Sequence, residues 1–458
     1  MEVNKSIFRE NDIRGIYPEQ LNEFTISKIA KAIAVKCKKE NIESISVGRD
    51  GRLSGESLLS SFCDSLIDSG INVTNIGMVT SPMLYFEAKT NKTKSGIIIT
   101  GSHNPKNHNG LKMVVNDRPV SGIEILSLIE SMESKSTSKG ELKTKDIKEK
   151  YLDEVINSIS IKNPSNYKVV IDCGNGAAGC VAPDLFKRVG CEVVELYTEV
   201  DGNFPNHHPD PSKLENLQDL IDSVISNDAD LGLAFDGDGD RVGLITNNGE
   251  NIFPDKYMMM LSENILSKQS GAIVFDVKCS NHLAELITKN HGVPLMAPTG
   301  HFHIKRTIKE NNALLGGEMS GHIFFNDKWY GFDDGPYSGA RIIEALSEHK
   351  GSKNISDIMK TYPKSFSTPE LNINVTDENK FQIIEKFIEE NELEGEKNTI
   401  DGLRVNYKNG WGLIRASNTS PKLVLRFEGN TIEDMNNIQN EFLSELSRIS
   451  PDIVINLT

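Results

Sequence analysis

The chain has 458 residues, with 50 Lys and Arg against 65 Asp and Glu, giving a net charge of -15 and a pI near 5.3. That balance excludes a sequence-independent nucleic-acid binder, which needs a basic footprint, and the length predicts roughly three domains rather than one core. With 38% hydrophobic residues, a mean hydropathy of -0.35, no signal-like start and no run of about 18 apolar residues, the chain is expected to be cytoplasmic with no membrane partner.

A strand-helix-strand pattern recurs three times. The first strands are expected at Ile45 to Val47, Val169 to Asp172 and Ile273 to Val277. Amphipathic helices follow at Leu58 to Ile67, Pro183 to Val189 and His282 to Lys289, then second strands at Ile71 to Ile76, Glu192 to Tyr197 and Val293 to Ala297. Each unit ends in an apolar strand running into a polar, glycine-containing loop. Such alternation predicts α/β layers with ligands at the carboxyl ends of strands. Glu133 to Lys150, rich in Ser, Lys and Glu, reads as a linker, and Thr246 to Glu250 as a turn before a helix near Asp255. Ser365 to Pro369 separates a smaller α+β tail, with a strand at Leu371 to Val375, a helix at Phe381 to Glu389, strands around Gly402 to Val424 and a helix at Thr431 to Ile449. The expected units are residues 1–147, 148–251, 252–366 and 367–458. The cysteines Cys37, Cys63, Cys173, Cys180, Cys191 and Cys279 form no C-x-x-C pair and are expected to be reduced core residues.

Four loops carry chemistry. Asp236-Gly237-Asp238-Gly239-Asp240 offers carboxylates at alternate positions that can curl around one hard cation. An EF-hand would want Gly and Glu where Arg241 and Asn247 stand, so that template fails. An acidic turn closing an apolar strand has little reason to exist without a counter-charge. Thr100-Gly101-Ser102-His103-Asn104-Pro105 lacks the G-x-S-x-G elbow of a nucleophilic hydrolase serine. Alone it would be a capped turn; with His103 and Lys112 nearby, Ser102 suits a phosphoryl carrier working with a metal. Gly317-Glu318-Met319-Ser320-Gly321-His322 offers donors and acceptors of the kind hydroxyl-rich ligands need, and any polar loop would look similar. Arg415-Ala416-Ser417-Asn418-Thr419-Ser420 combines a guanidinium, hydroxyls and backbone N–H groups, as a phosphate cradle does and as an ordinary polar turn also can. Adjacent His207 and His208 point apart in extended chain and read as interdomain loop structure.

In this order and spacing the four loops resemble the α-D-phosphohexomutase family over essentially the whole chain. Phe8-Arg9-Glu10-Asn11-Asp12-Ile13-Arg14-Gly15, Gly48-Arg49-Asp50-Gly51-Arg52-Leu53-Ser54-Gly55, Asp276-Val277-Lys278-Cys279, Thr299-Gly300-His301 and Gly331-Phe332-Asp333-Asp334-Gly335 add to the likeness. The resemblance implies four domains around a central cleft, three tandem α/β units with mixed sheets and a smaller lid-like α+β unit. It implies a phosphoserine at Ser102 and Mg²⁺ held by Asp236, Asp238, Asp240 and a Ser102 phosphoryl oxygen. It implies sugar selection in the loop of Glu318, Met319, Ser320 and Gly321. Phosphate would sit on Arg415, Ser417, Asn418 and Thr419, with Lys278, His301 and His322 contributing, and Arg14 and Asn11 would border substrate. The Glu-Met-Ser-Gly-His sequence is similar to the phosphomannomutase/phosphoglucomutase branch; phosphoglucosamine mutases tend to carry Gln where Met319 stands. That branch usually has Tyr at the place of Asn11, a departure that bears on sugar preference.

The implied reaction is a relay. Phosphorylated Ser102 donates to the free hydroxyl of a hexose 1- or 6-phosphate, and the resulting 1,6-bisphosphate, intermediate and activator, turns over in the cleft and returns its other phosphate. Arg241 would neutralise charge with the metal, and His103, Lys112 and His322 are candidates for the acceptor's proton, Lys112 first. The partners are small-molecule phosphosugars, and the chain would act as a monomer or homodimer. Rival readings are a phosphoglucosamine mutase, a non-catalytic sugar-phosphate sensor and a metal-dependent phosphatase.

Overall fold

The computed structural model describes residues 2–457 apart from Asn11, 132–138, Lys353 and Thr419. Four sheets follow one another along the chain. The first three share a plan. In each, three parallel strands lie side by side: Ser44–Arg49 between Asn72–Met78 and Gly96–Ile99, Lys168–Asp172 between Glu192–Leu196 and Leu231–Phe235, and Ala272–Asp276 between Val293–Ala297 and Leu315–Gly317. The central strand of each is largely buried because helices cover both faces; in the second and third units it reads as an apolar run, whereas Ser44–Arg49 buries Ser46 and Gly48 among its apolar residues.

An antiparallel strand then returns along the third parallel one: His108–Val115, Val242–Thr246 and Ile323–Phe325. Each of the three chemistry-bearing loops connects these last two strands. The recurring topology therefore delivers Ser102, the aspartates and Glu318 to equivalent places, at the carboxyl ends of strands. The fourth sheet is antiparallel, built on Leu403–Tyr407, Gly410–Ala416 and Lys422–Gly429, with the helices Lys380–Glu390 and Ile432–Ile449 packed on it. The last helix opens with a capping box in which Thr431 and Asp434 exchange hydrogen bonds.

Two boundary segments differ from the sequence expectation. Part of the stretch read as a linker is structured: Leu142–Thr144 pairs with Asn72–Met78 at the edge of the first sheet, and Lys148–Ser158 is helix, while residues 132–138 lie outside the described residues. An exposed three-residue strand is too short to show a period. Likewise Phe366–Ser367 pairs with Lys422–Gly429, so this connection is already part of the fourth sheet. The expectation of separate cores is also modified. One apolar cluster runs from Ile98 and Phe86 through Phe186 and Leu233 to Tyr337 and Leu346, joining the first three units, whereas the fourth has its own cluster around Phe427 and Phe442. All six cysteines are free.

Candidate active site

The four units enclose a cleft of about 1010 Å³. Against the acidic charge of the chain, its walls gather Arg9, Arg14 and Lys112 from the first unit, Lys213 and Arg241 from the second, Lys278 from the third and Arg415 from the fourth. Such a concentration of cationic side chains suits an anionic ligand.

At the floor stand Ser102 and the aspartate loop. Ser102 is 2% exposed with a left-handed backbone (φ 48°), a conformation that neighbours must enforce for a residue with a side chain. Its Oγ donates to Asp236 Oδ2 at 3.1 Å and is 3.1 Å from His103 Nδ1. The close approach of the two loops requires Gly237, where a Cβ would meet the Ser102 carbonyl at 2.3 Å. Burial, then Arg241 and Arg14, push the His103 imidazole well below its usual range, so it is neutral.

Asp236, Asp238 and Asp240 are wholly buried, and one oxygen from each lies within 4.8 Å of the others. Asp238 Oδ2 accepts from Ser81 Oγ at 2.5 Å and Lys112 Nζ at 2.7 Å, and lies 3.1 Å from Thr100 Oγ1. Lys112 also contacts Asp240 Oδ2. Asp238 Oδ1 and Asp240 Oδ1, though buried, have no hydrogen-bond partner. Three crowded carboxylates cannot all ionise unaided. Burial and the repulsion of its two neighbours push Asp236 well up, whereas at Asp238 burial is outweighed by Lys112 and the hydrogen bonds from Lys112 and Ser81. An all-oxygen donor set this close together, with two of its buried oxygens unpartnered, fits a hard divalent cation.

Above this floor Arg241 Nε donates to His322 Nε2 at 3.0 Å, so the His322 proton sits on Nδ1, which is 3.0 Å from Asp333 Oδ2. Lys305 pairs with the other Asp333 oxygen at 2.6 Å, and His301 stacks on His322. Burial opposes ionisation of Asp333, but Lys305 and His322 hold its carboxyl well below the usual range. Glu318 accepts from the Gly300 N–H at 2.5 Å and lines the cleft beside Met319, Ser320 and Gly321. Lys278 pairs with Glu370 at 2.9 Å, and the ammonium holds the Glu370 carboxyl at about 2. In the fourth unit Arg415 Nε donates to Asp401 Oδ2 at 2.8 Å, and Ser417 and Asn418 line the cleft next to it.

The described candidates therefore meet in one cleft, with the three aspartates just beneath its wall. Asn11 and Thr419 lie outside the described residues. Sequence reasoning gave no role to Asp50, Arg52, Ser81, Asp333, Glu370 or Asp401. Two of the quoted motifs contain Asp50, Arg52 and Asp333, but the groups they hold in place, the Ser102 loop and the Lys305 and His322 side chains, lie outside those motifs. His208, read as loop structure, contacts the His103 carbonyl, and His207 is held by Asp172 at 3.0 Å.

Four family models match the chain in succession: phosphoglucomutase/phosphomannomutase, alpha/beta/alpha domain I over residues 5–138, domain II over 149–249, domain III over 253–366, and the C-terminal domain over 370–445. A phosphomannomutase/phosphoglucomutase of Pseudomonas syringae pv. tomato is 48% identical over 452 residues, covering 98% of this chain and 96% of the relative. A phosphoglucomutase of Neisseria gonorrhoeae is 47% identical over 96% of each chain. Among solved structures, a phosphoglucomutase/phosphomannomutase family protein of Burkholderia thailandensis superposes with a TM-score of 0.93 at 40% identity, covering 100% of both chains.

Proposed function

The chain belongs to the α-D-phosphohexomutase family, and from that premise we propose that it interconverts the 1- and 6-phosphates of mannose and glucose through a phosphoserine and a 1,6-bisphosphate. The observation that carries the reading is the meeting of Ser102 Oγ with Asp236 at 3.1 Å on the floor of a cleft whose far wall presents Arg415.

Ser102, phosphorylated at rest, gives up its phosphoryl group: the Oγ–P bond breaks, an O–P bond forms to the free sugar hydroxyl, and that hydroxyl's proton leaves. The bisphosphate then presents its other phosphate to Ser102, and the same bonds exchange in reverse. Asp236, Asp238, Asp240 and the phosphoryl oxygen on Ser102 would hold Mg²⁺, which neutralises charge on the group in transfer. Arg241 and Arg14 add positive charge beside that group, where positioning and electrostatics do most of the catalysis. His103, neutral and 3.1 Å from Ser102 Oγ, is placed to take the proton; Lys112, held as an ammonium by Asp238 and Asp240, can return one, and His322 lines the same cleft. Glu318 and Ser320 bind sugar hydroxyls, with Met319 and Gly321 shaping that loop. Lys278, His301, His322, Arg415, Ser417, Asn418 and Thr419 hold the distal phosphate, and Asn11 borders the sugar. The proposal takes the four units as residues 1–147, 148–251, 252–366 and 367–458, with the last closing over ligand, in a cytoplasmic monomer or homodimer.

Intact-protein mass spectrometry tests the relay. Wild type treated with hexose 1,6-bisphosphate is expected to carry one phosphate-sized addition and Ser102→Ala none; a wild type without the addition overturns it. Assays with mannose, glucose and glucosamine phosphates side by side test the sugar, and a strong preference for the amino sugar would point to a phosphoglucosamine mutase.

A further inference from the structure

Arg52 is a buried cation to which the relay assigns no task. It is 1% exposed, and its partners are mostly backbone carbonyls. Nη1 donates to Pro105 O at 2.7 Å and His108 O at 2.9 Å, and Nη2 donates to Ser102 O at 2.7 Å and Asn104 O at 2.6 Å. One guanidinium thus gathers four carbonyls of the segment that begins at the reacting serine. Asp50 holds the other side. Its Oδ2 lies 3.3 Å from Arg52 Nε and accepts from Thr100 Oγ1 at 2.8 Å and from the Gly101 N–H at 3.0 Å. The pair therefore grips the loop both before and after Ser102.

Burying an ion pair is costly unless its geometry is good and its remaining donors are satisfied. Here both terminal nitrogens are spent on a loop whose first residue, Ser102, has a left-handed backbone that neighbours must enforce, while Nε faces Asp50 without a hydrogen bond. A lysine could not replace this grip, because an ammonium offers donors from a single point, whereas the guanidinium presents a rigid planar fork.

We propose that Arg52 is a positioning residue for phosphoryl transfer. It fixes the Ser102–His108 loop so that Ser102 Oγ keeps one place relative to Asp236 as the phosphoryl group leaves and returns. The inference rests on the reading of Ser102 as the phosphoryl carrier. It separates reaction from binding: the loop that would be misplaced belongs to the first unit, whereas Glu318 and Arg415 belong to the third and fourth.

The test uses the full chain as wild type, Arg52→Lys and Gly101→Ala. At Gly101 a Cβ would lie 2.3 Å from Arg52 Nε and 2.4 Å from Cζ, so alanine displaces the guanidinium without removing its charge. Both variants are expected to lose about 10²-fold in kcat, the order found when reacting atoms shift by an ångström. KM for the hexose phosphate is expected to stay within about threefold, since uniform binding is untouched. Thermal melts establish the folded fraction, and if Arg52→Lys does not fold, Gly101→Ala decides. Folded variants whose kcat stays within about threefold of wild type, or whose kcat loss only tracks the lost folded fraction, overturn the role of Arg52. Intact mass of the treated wild type separates the two claims. A wild type without phosphate overturns the carrier reading and this inference with it; a phosphorylated wild type beside unaffected variants overturns this inference alone.

Discussion

At the Ser102 end of the cleft, side chains and backbone from three units hold one another in place over a shared apolar cluster; at the Arg415 end the fourth unit is tied to the third mainly by polar contacts, among them Asp401 Oδ2, which accepts from the Thr299 N–H at 2.9 Å. The aspartate loop shows the first arrangement. The Asp238 carbonyl accepts from the Ser81 N–H at 2.9 Å and the Gly239 carbonyl from the Gly335 N–H at 3.1 Å, so elements of the first and third units tie down a loop of the second. One apolar cluster runs beneath all three. The Arg415 loop stands on an antiparallel sheet with a separate apolar cluster. Its unit meets the third chiefly through Arg404, which is stacked on Trp411 and donates to the Cys279 carbonyl at 2.9 Å, and Arg426, which donates to the Lys278 carbonyl at 2.7 Å. A small cluster of Val277, Trp411 and Leu413 adds to this contact. Polar interfaces of this kind permit relative motion of domains, whereas a shared apolar core does not. The comparison teaches that the reacting groups belong to one fixed body and that part of the ligand grip belongs to another.

The largest expected effect tests the fixed end. Ser81→Ala removes a donor to Asp238 Oδ2, which lies 2.5 Å from the hydroxyl, and frees that carboxylate to turn. Loss of a residue that orients a metal ligand typically costs about 10- to 100-fold in affinity. Titration with Mn²⁺ followed by electron paramagnetic resonance should show a weakening of that order. Unchanged affinity would mean that Lys112 suffices to orient Asp238, and that the fixed end is less interdependent than its hydrogen bonds indicate.

The Arg415 end should respond differently. Arg415→Ala removes a charge-assisted contact to phosphate, worth about 1.5–3 kcal/mol, or about 10- to 100-fold in binding. Because the contact is expected to persist from bound substrate through the reaction, KM should rise by about that factor while kcat falls less. Steady-state kinetics decide: an equal fall in kcat and kcat/KM would place Arg415 among the transition-state contacts and erase the contrast between the two ends.

These contrasts were only partly legible in the sequence. The buried parallel strands announced themselves as apolar runs, and the loops after them held most of the residues that the structure brings to the cleft. The mixed character of the sheets was expected, but no segment marks itself as the antiparallel return strand, and with it the reason the three loops are equivalent stays hidden. The helix Glu23–Lys39 was passed over although Ile26, Ile29, Ala30, Ile33 and Cys37 follow helical spacing and are buried. Arg52 and Ser81 escaped for another reason. Arg52 acts on backbone carbonyls, which carry no residue identity, and Ser81 acts on a carboxylate 157 positions away. Glu370 and Asp401 are ordinary acids in sequence and acquire meaning only from Lys278 and Arg415 beside them.

The last effect concerns stability rather than activity, and it too should follow the fixed body. Asp334 is buried at the start of the helix Gly335–Glu348, accepting from the Tyr337 N–H at 2.9 Å, and both its oxygens lie 2.9 Å from the Tyr151 hydroxyl of the helix that follows the first unit. Burial pushes its carboxyl up to about 7. In the unfolded chain an aspartate titrates near 3.9, so between about pH 4 and pH 7 the native state binds a proton that the unfolded state has released. Its contribution to stability is therefore complete below about pH 4, falls by up to about 1.4 kcal/mol per pH unit as pH rises, and is gone above about pH 7. Asp334→Asn keeps an acceptor at the helix cap and abolishes the titration. Thermal melts from about pH 5 to pH 8 should show a shallower decline in Tm for the variant than for wild type. Parallel declines would mean that Asp334 is already ionised in the native protein near pH 5, its charge carried by the Tyr337 N–H and the Tyr151 hydroxyl alone.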